Sequence, residues 1–162
     1  MKIVHTNGQD KNFYGLCVQL DEFLNNHVEG RREAGLTSFY NMENLKDIFL
    51  LYDGRRAIGS AGLWCHDNDA CELIRVFLND NYRGKGLVRT LVNEVEQLAI
   101  QKGYKKIFLR TWMSTPSAPR AYQKLGFLPI NKAEFKHADK FPRALPLAHQ
   151  RLYMSKDLSD PS

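Results

Sequence analysis

The chain has 162 residues, 43% of them hydrophobic and 25% charged, with a formal net charge of +5 at pH 7. Those values suit one domain with a single core, expected over residues 1–162, and exclude a disordered chain. The basic residues are scattered in pairs such as Arg31-Arg32 and Lys105-Lys106, so the charge favours anionic partners without selecting one.

Ile3-Val4 predicts a short first strand, followed by a polar turn from Thr6 to Lys11. Phe13, Leu16, Cys17, Leu20, Phe23 and Leu24 then recur at three- and four-residue steps, the apolar face of a helix. Gly30 and Gly35 break that periodicity, so Val28 to Leu45 reads as loop with a short helix. Ile48 to Tyr52 and Ala57 to Cys65 read as an antiparallel hairpin turning at Asp53-Gly54. A second polar turn, His66 to Asp69, leads into a strand from Glu72 to Leu78, which Asn79-Asp80-Asn81 breaks. Beyond Gly84 and Gly86, the residues Leu87, Val88, Leu91, Val92, Val95, Leu98 and Ala99 mark a helix that Gly103 stops. Lys106 to Arg110 reads as a buried strand. A helix opened near Pro119 is closed by Gly126 and Phe127 in the Schellman manner. Phe127 to Ile130 and Arg151 to Met154 read as the last strands, with mostly loop from Lys132 to Gln150. The expected fold is α/β. It is a mixed, largely antiparallel sheet with helices on both faces, containing one parallel strand–helix–strand unit.

The N-terminus, Met1-Lys2-Ile3-Val4-His5, lacks the apolar core of a secretory signal, and no run of about 18 apolar residues predicts a membrane span. The three cysteines, Cys17, Cys65 and Cys71, contain no CxxC, which argues against a disulfide framework and a structural zinc site. A cytoplasmic protein with reduced thiols and no metal is expected. No DNA- or RNA-reading motif accompanies the charge, so no nucleic-acid partner is expected.

Leu78 to Leu91 carries the chemistry. A strand ends, a basic glycine loop comes next, and an amphipathic helix begins at once. A helix N-terminus presents unpaired N–H groups and the positive end of its dipole, a ready anion site. Glycines remove the Cβ from the approach, and Arg83 and Lys85 add charge. The loop therefore predicts phosphate or pyrophosphate. A Walker loop is excluded because Lys85 lies between the glycines; a dinucleotide fingerprint is excluded because position 89 is Arg.

The run Arg83-Gly84-Lys85-Gly86-Leu87-Val88 resembles the Arg/Gln-x-x-Gly-x-Gly/Ala loop of the GNAT acetyltransferase superfamily. Ala118 to Phe127 resembles that superfamily's A-x-x-x-Y-x-K-x-G-F helix, Glu72 to Leu78 its fourth strand, and Arg151 to Leu158 its last strand. The resemblance runs from about Ile48 to Leu158. It implies a GNAT-like fold, acetyl-CoA as co-substrate, and direct attack of a primary amine on the thioester in a ternary complex. The loop from Arg83 to Val88 (Arg83, Gly84, Lys85, Gly86, Leu87, Val88) would grip the coenzyme. A backbone N–H near Leu78 would polarise the thioester carbonyl. Tyr122 would protonate the departing thiolate. Some members have a general-base glutamate where Glu72 stands. Period-two alternation places Glu72 on a face with Ile74, Val76 and Leu78, where desolvation would raise its pKa; an anchoring or structural carboxylate is the other reading. Two positions depart from the pattern. Val88 replaces Gly or Ala, from which weaker or re-angled coenzyme binding is expected. Thr115 stands where many members have Asn; Thr115 or Ser117 would bond the pantetheine arm. The resemblance implies a small-molecule or peptide amine as acceptor, no membrane partner, and a monomer or homodimer as assembly. The other functional class consistent with these residues is a non-catalytic acyl-CoA-binding or regulatory protein of the same fold.

Overall fold

The structure, a computed structural model, describes residues 1–27, 42–112, 117–136 and 151–159. Its elements run β1 (Lys2–Thr6), α1 (Lys11–His27), β2 (Asp47–Asp53), β3 (Arg56–Cys65), β4 (Cys71–Leu78), α2 (Leu87–Gln101), β5 (Lys106–Trp112), α3 (Ser117–Lys124), β6 (Leu128–Ile130) and β7 (Arg151–Asp157). The seven strands form one sheet in the order β1-β2-β3-β4-β5-β7-β6. Every neighbouring pair is antiparallel except β4 and β5. The mixed sheet expected from the sequence is the one observed. Of the expected loops, 28–41 and 137–150 lie outside the described residues; Met42–Asn44 and Lys132–Glu134 are single turns of 3-10 helix.

Both faces of the sheet are covered, which is why β2 reads as a continuous apolar run and not as an alternating one. Ile48 and Leu50 pack beneath α1 with Phe13, Leu16 and Cys17. Phe49 and Leu51 pack on the other side, with Leu91, Val92, Val95 and Ala99 of α2. Tyr122 of α3 and Leu125 just beyond it join the α2 side. None of the described helices is long and apolar enough to cross a membrane.

One expectation fails inside β4. The ladder sets Gly62 opposite Ile74 but Ser60 opposite Phe77, so β4 holds one residue more than β3 across that interval. The extra residue is a β-bulge at Arg75, whose φ is +50°. It breaks the alternation. Ile74 and Phe77 pack on the α1 side, whereas Leu73, Val76 and Leu78 pack on the α2 side. Glu72 therefore shares a face with Ile74 and Phe77, not with Val76 and Leu78.

The bulge is pinned. The Arg75 guanidinium reaches Asp21 of α1 at 2.9 Å, both side chains being 5% exposed. The Ser60 hydroxyl donates to the Arg75 carbonyl at 2.8 Å. These bonds offset the cost of a left-handed arginine, of the order of 1–3 kcal/mol.

Candidate active site

The strands β4 and β5 pair only at Cys71–Ile107 and Glu72–Phe108, and then separate. β5 stays with β7 along its whole length, from Lys106–Asp157 to Trp112–Arg151. β4 stays with β3 as far as Leu78–Gly59. The sheet therefore splits into a wedge. A cleft of about 480 Å³ occupies it, walled by Leu73–Leu78, by Leu109–Thr111 and by Tyr122 of α3. On the cleft side, the backbone of β4 beyond Glu72 has no ladder partner from β5.

The glycine loop closes one end of the wedge. Asn79 caps a 3-10 turn over Asp80–Tyr82 through its side chain, which accepts from the Asn81 N–H at 3.1 Å. The Tyr82 hydroxyl donates to Asp53 at 2.6 Å and ties this turn to the end of β2. Gly84 and Gly86 then take φ of +80° and +75°, and Gly86 is the N-cap of α2. A Cβ at either position would meet nothing within 4 Å. Glycine is therefore required by the left-handed backbone, while the space outside the loop stays open for a ligand. The cap supplies no side-chain hydrogen bond, and no acidic residue stands in the first turn of α2. The amides of that turn thus face the cleft end with their dipole uncompensated.

The predicted loop residues divide. Arg83, Gly84, Gly86, Leu87 and Val88 line the cleft. Arg83 is held at its mouth: it pairs with Asp80 at 3.0 Å, donates from Nε to the Leu78 carbonyl at 3.4 Å, and stands 5.2 Å from the Phe23 ring centroid. Lys85 is exposed, with its Nζ 5.9 Å from the Tyr82 ring, and is not part of the cleft wall. Val88 touches the cleft and also packs against the α2-side core, so part of its bulk is absorbed by the sheet.

Tyr122 projects from α3 into the same cleft. Its ring meets Phe127 edge-on at 6.1 Å. Burial pushes its hydroxyl up to about 12, so it is a protonated donor at neutral pH. The Schellman end of α3 is as expected: Gly126 has φ +99°, the Phe127 N–H reaches the Tyr122 carbonyl at 3.0 Å, and the Gly126 N–H reaches Gln123 at 3.0 Å. Arg89 donates to the Lys124 carbonyl at 3.0 Å, putting a cation at the C-terminus of α3 and linking it to α2. Thr115 lies outside the described residues; Ser117 begins α3.

Glu72 closes the floor of the wedge, where β4 and β5 last touch. It is 3% exposed. Arg110 of β5 grips it through Nε at 2.9 Å and a terminal nitrogen at 2.6 Å, and His66 approaches at 2.9 Å. Burial alone would raise its pKa. The His66 and Arg110 hydrogen bonds and the Arg110 charge outweigh burial and hold the carboxyl below its ordinary value. The expectation of a raised pKa at Glu72 is thus overturned, because its partners come from other elements. Arg110 and His66 in turn lie against the Phe135 ring, at 5.1 and 5.6 Å. From the sequence His66 reads as surface or structural, and Arg110 belongs to no motif. The partners stand 6 and 38 residues from Glu72 in the chain, beyond any local pattern. Among the described residues, no three His, Cys, Asp or Glu side chains gather as a metal-binding group.

Residues 18–127 match the model of the Acetyltransferase (GNAT) family. The chain is 33% identical over 81 residues to mycothiol acetyltransferase of Corynebacterium efficiens, covering 50% of this chain but only 27% of that protein's length. Its fold is similar to a GNAT-family acetyltransferase of Staphylococcus aureus Mu50, with a TM-score of 0.75, 16% identity, and coverage of 98% of this chain and 99% of that one. It is also similar to a GNAT-family acetyltransferase of Elizabethkingia anophelis solved with acetyl-CoA bound, at a TM-score of 0.64, 18% identity and 97% coverage of both chains. With a wedge between β4 and β5, a glycine loop at a helix N-terminus and a family match over most of its length, the chain belongs to the GNAT acetyltransferase family.

Proposed function

We propose that the chain transfers an acetyl group from acetyl-CoA to a primary amine, by direct attack of the amine on the thioester within the cleft. The observation that carries this reading is the parting of β4 from β5 beside an uncapped helix N-terminus with two left-handed glycines. A coenzyme that joins a pyrophosphate to an extended arm of amides needs both neighbours. The helix N-terminus suits the anion, and an unpaired strand edge suits the arm. In this reading the amides from Arg83 to Val88 hold the pyrophosphate, with Arg83 adding charge at the mouth. The arm lies along Leu73–Leu78. A backbone N–H near Leu78 faces the thioester oxygen as negative charge develops on it.

The amine attacks the carbonyl carbon, the C–S bond breaks, and the thiolate leaves with the proton of Tyr122. Tyr122 suits that task because its raised pKa keeps it protonated and its place in the cleft wall puts it beside the arm. Glu72 is assigned to holding Arg110 and not to taking the amine's proton. A carboxylate with two partners and a lowered pKa is a weak base. The amine's proton is then released to water, and the Tyr122 phenolate takes a proton back from water. Among the described residues, Arg75, Arg83, Arg110 and Arg151 line the cleft against a single carboxylate, Glu72. That balance disfavours a polycationic acceptor.

The test is thiol release from acetyl-CoA across a panel of small-molecule and peptide amines. Amine-dependent release is expected. Binding of acetyl-CoA without release for any amine would favour the non-catalytic reading instead.

A further inference from the structure

Away from the cleft, the β3–β4 hairpin brings two of the three thiols face to face. Cys65 ends β3, Cys71 begins β4, and the two are direct partners across the ladder. One step nearer the turn, the His66 N–H bonds the Ala70 carbonyl at 2.9 Å. Hydrogen-bonded and non-hydrogen-bonded pairs alternate along an antiparallel ladder, which makes Cys65–Cys71 a pair of the non-hydrogen-bonded kind. Such pairs hold their Cα atoms about 4.5 Å apart, with both side chains on one face. A disulfide spans Cα separations of about 4.4–6.8 Å. The register therefore brings the two Cα atoms within the range a disulfide spans.

The two thiols have different surroundings. Cys65 is exposed, whereas Cys71 is wholly buried. Burial pushes the Cys71 thiol up to about 12, and the nearby Cys65 and Glu72 add to the effect. The Tyr104 hydroxyl donates to the Asp67 carbonyl at 2.6 Å, which ties the β3–β4 turn to the segment ahead of β5. Cys71 forms the outermost rung between β4 and β5, next to Glu72. The third thiol, Cys17, lies on the buried side of α1, on the opposite face of the sheet.

We propose that Cys65 and Cys71 form a redox modification site, which a peroxide converts to a cross-strand disulfide. The Cys65 thiolate attacks a peroxide oxygen. The O–O bond breaks, one water leaves, and Cys65 becomes a sulfenic acid. The Cys71 sulfur then attacks the Cys65 sulfur, the S–O bond breaks, and a second water leaves. Two thiols are oxidised and one hydrogen peroxide is reduced to two waters. The exposed cysteine reacts first and the buried one resolves it. The site is independent of the acetyl-transfer reading.

The experiment treats the full chain with hydrogen peroxide and maps its peptides without reduction. A peptide pair linked through Cys65 and Cys71 is expected, with the denatured thiol count falling from three to one. Cys71→Ser should leave a Cys65 sulfenic acid that a cyclic 1,3-dione traps. Cys65→Ser should keep both of its remaining thiols under the same treatment. Cys65 recovered as a sulfinic acid, or linked between two molecules while Cys71 stays a thiol, would overturn the proposal. So would equal thiol loss in Cys65→Ser and the unaltered chain.

Discussion

Replacing Arg110 by Met keeps most of the apolar stem but removes the guanidinium that grips Glu72. The carboxylate then sits 3% exposed with His66 as its nearest remaining partner. Removing one member of a buried ion pair costs about 3–5 kcal/mol, because the other charge is left uncompensated. For a chain of this size, each kcal/mol moves the melting temperature by roughly 2–4 °C, so a fall of about 6–20 °C is expected at neutral pH. The pH dependence carries the sharper signal. In the unaltered protein the folded pKa of Glu72 is depressed, so its contribution is present above the unfolded value near 4.5 and is lost as pH falls through the folded pKa. Without Arg110, burial dominates and the folded pKa rises above the unfolded one. Proton uptake then favours the folded state, and stability is regained as pH is lowered from neutral toward 5. Thermal unfolding followed by circular dichroism at several pH values between about 5 and 8 reads both effects. A variant that melts within about 2 °C of the parent at every pH would refute the described grip on Glu72.

The cleft carries three further expectations. Tyr122→Phe should lower kcat about 10²- to 10⁴-fold while leaving the acetyl-CoA dissociation constant within about twofold, as steady-state kinetics and calorimetry together would show. With the Tyr122 hydroxyl pushed up to about 12, its deprotonation should produce no loss of rate between pH 7 and 10; a tyrosine-dependent decline in that window would contradict its assignment. Gly86→Ala forces a side chain into φ +75°, a cost of about 1–2 kcal/mol that should appear as a melting temperature lower by roughly 2–8 °C, measured by circular dichroism.

Much of this architecture is legible in the chain. The helix periodicities, the Asp53-Gly54 turn and the glycines at 86, 103 and 126 place most element ends within a few residues, because local sterics fix them. The loop is legible as an anion site for the same reason. The bulge at Arg75 is not. A left-handed turn usually announces itself with Gly or Asn, and here an arginine is held there by Asp21, which is 54 residues away. Strict alternation therefore turns the second half of β4 to the wrong face. The reversed pKa of Glu72 has a related origin. Desolvation is readable from apolar neighbours along a strand, but the Arg110 and His66 bonds that reverse its effect arise only when β4 meets β5 and the hairpin closes. Arg89, conspicuous as a failed motif position, works instead as a clamp on α3.

Backbone amide mapping by nuclear magnetic resonance during an acetyl-CoA titration tests most directly whether the wedge seats the coenzyme. The largest shift changes are predicted at Gly84 to Val88 and along Leu73 to Leu78, the two edges that bound the cleft. Saturable binding that leaves those amides unmoved, with changes gathered elsewhere on the sheet, would contradict that seat.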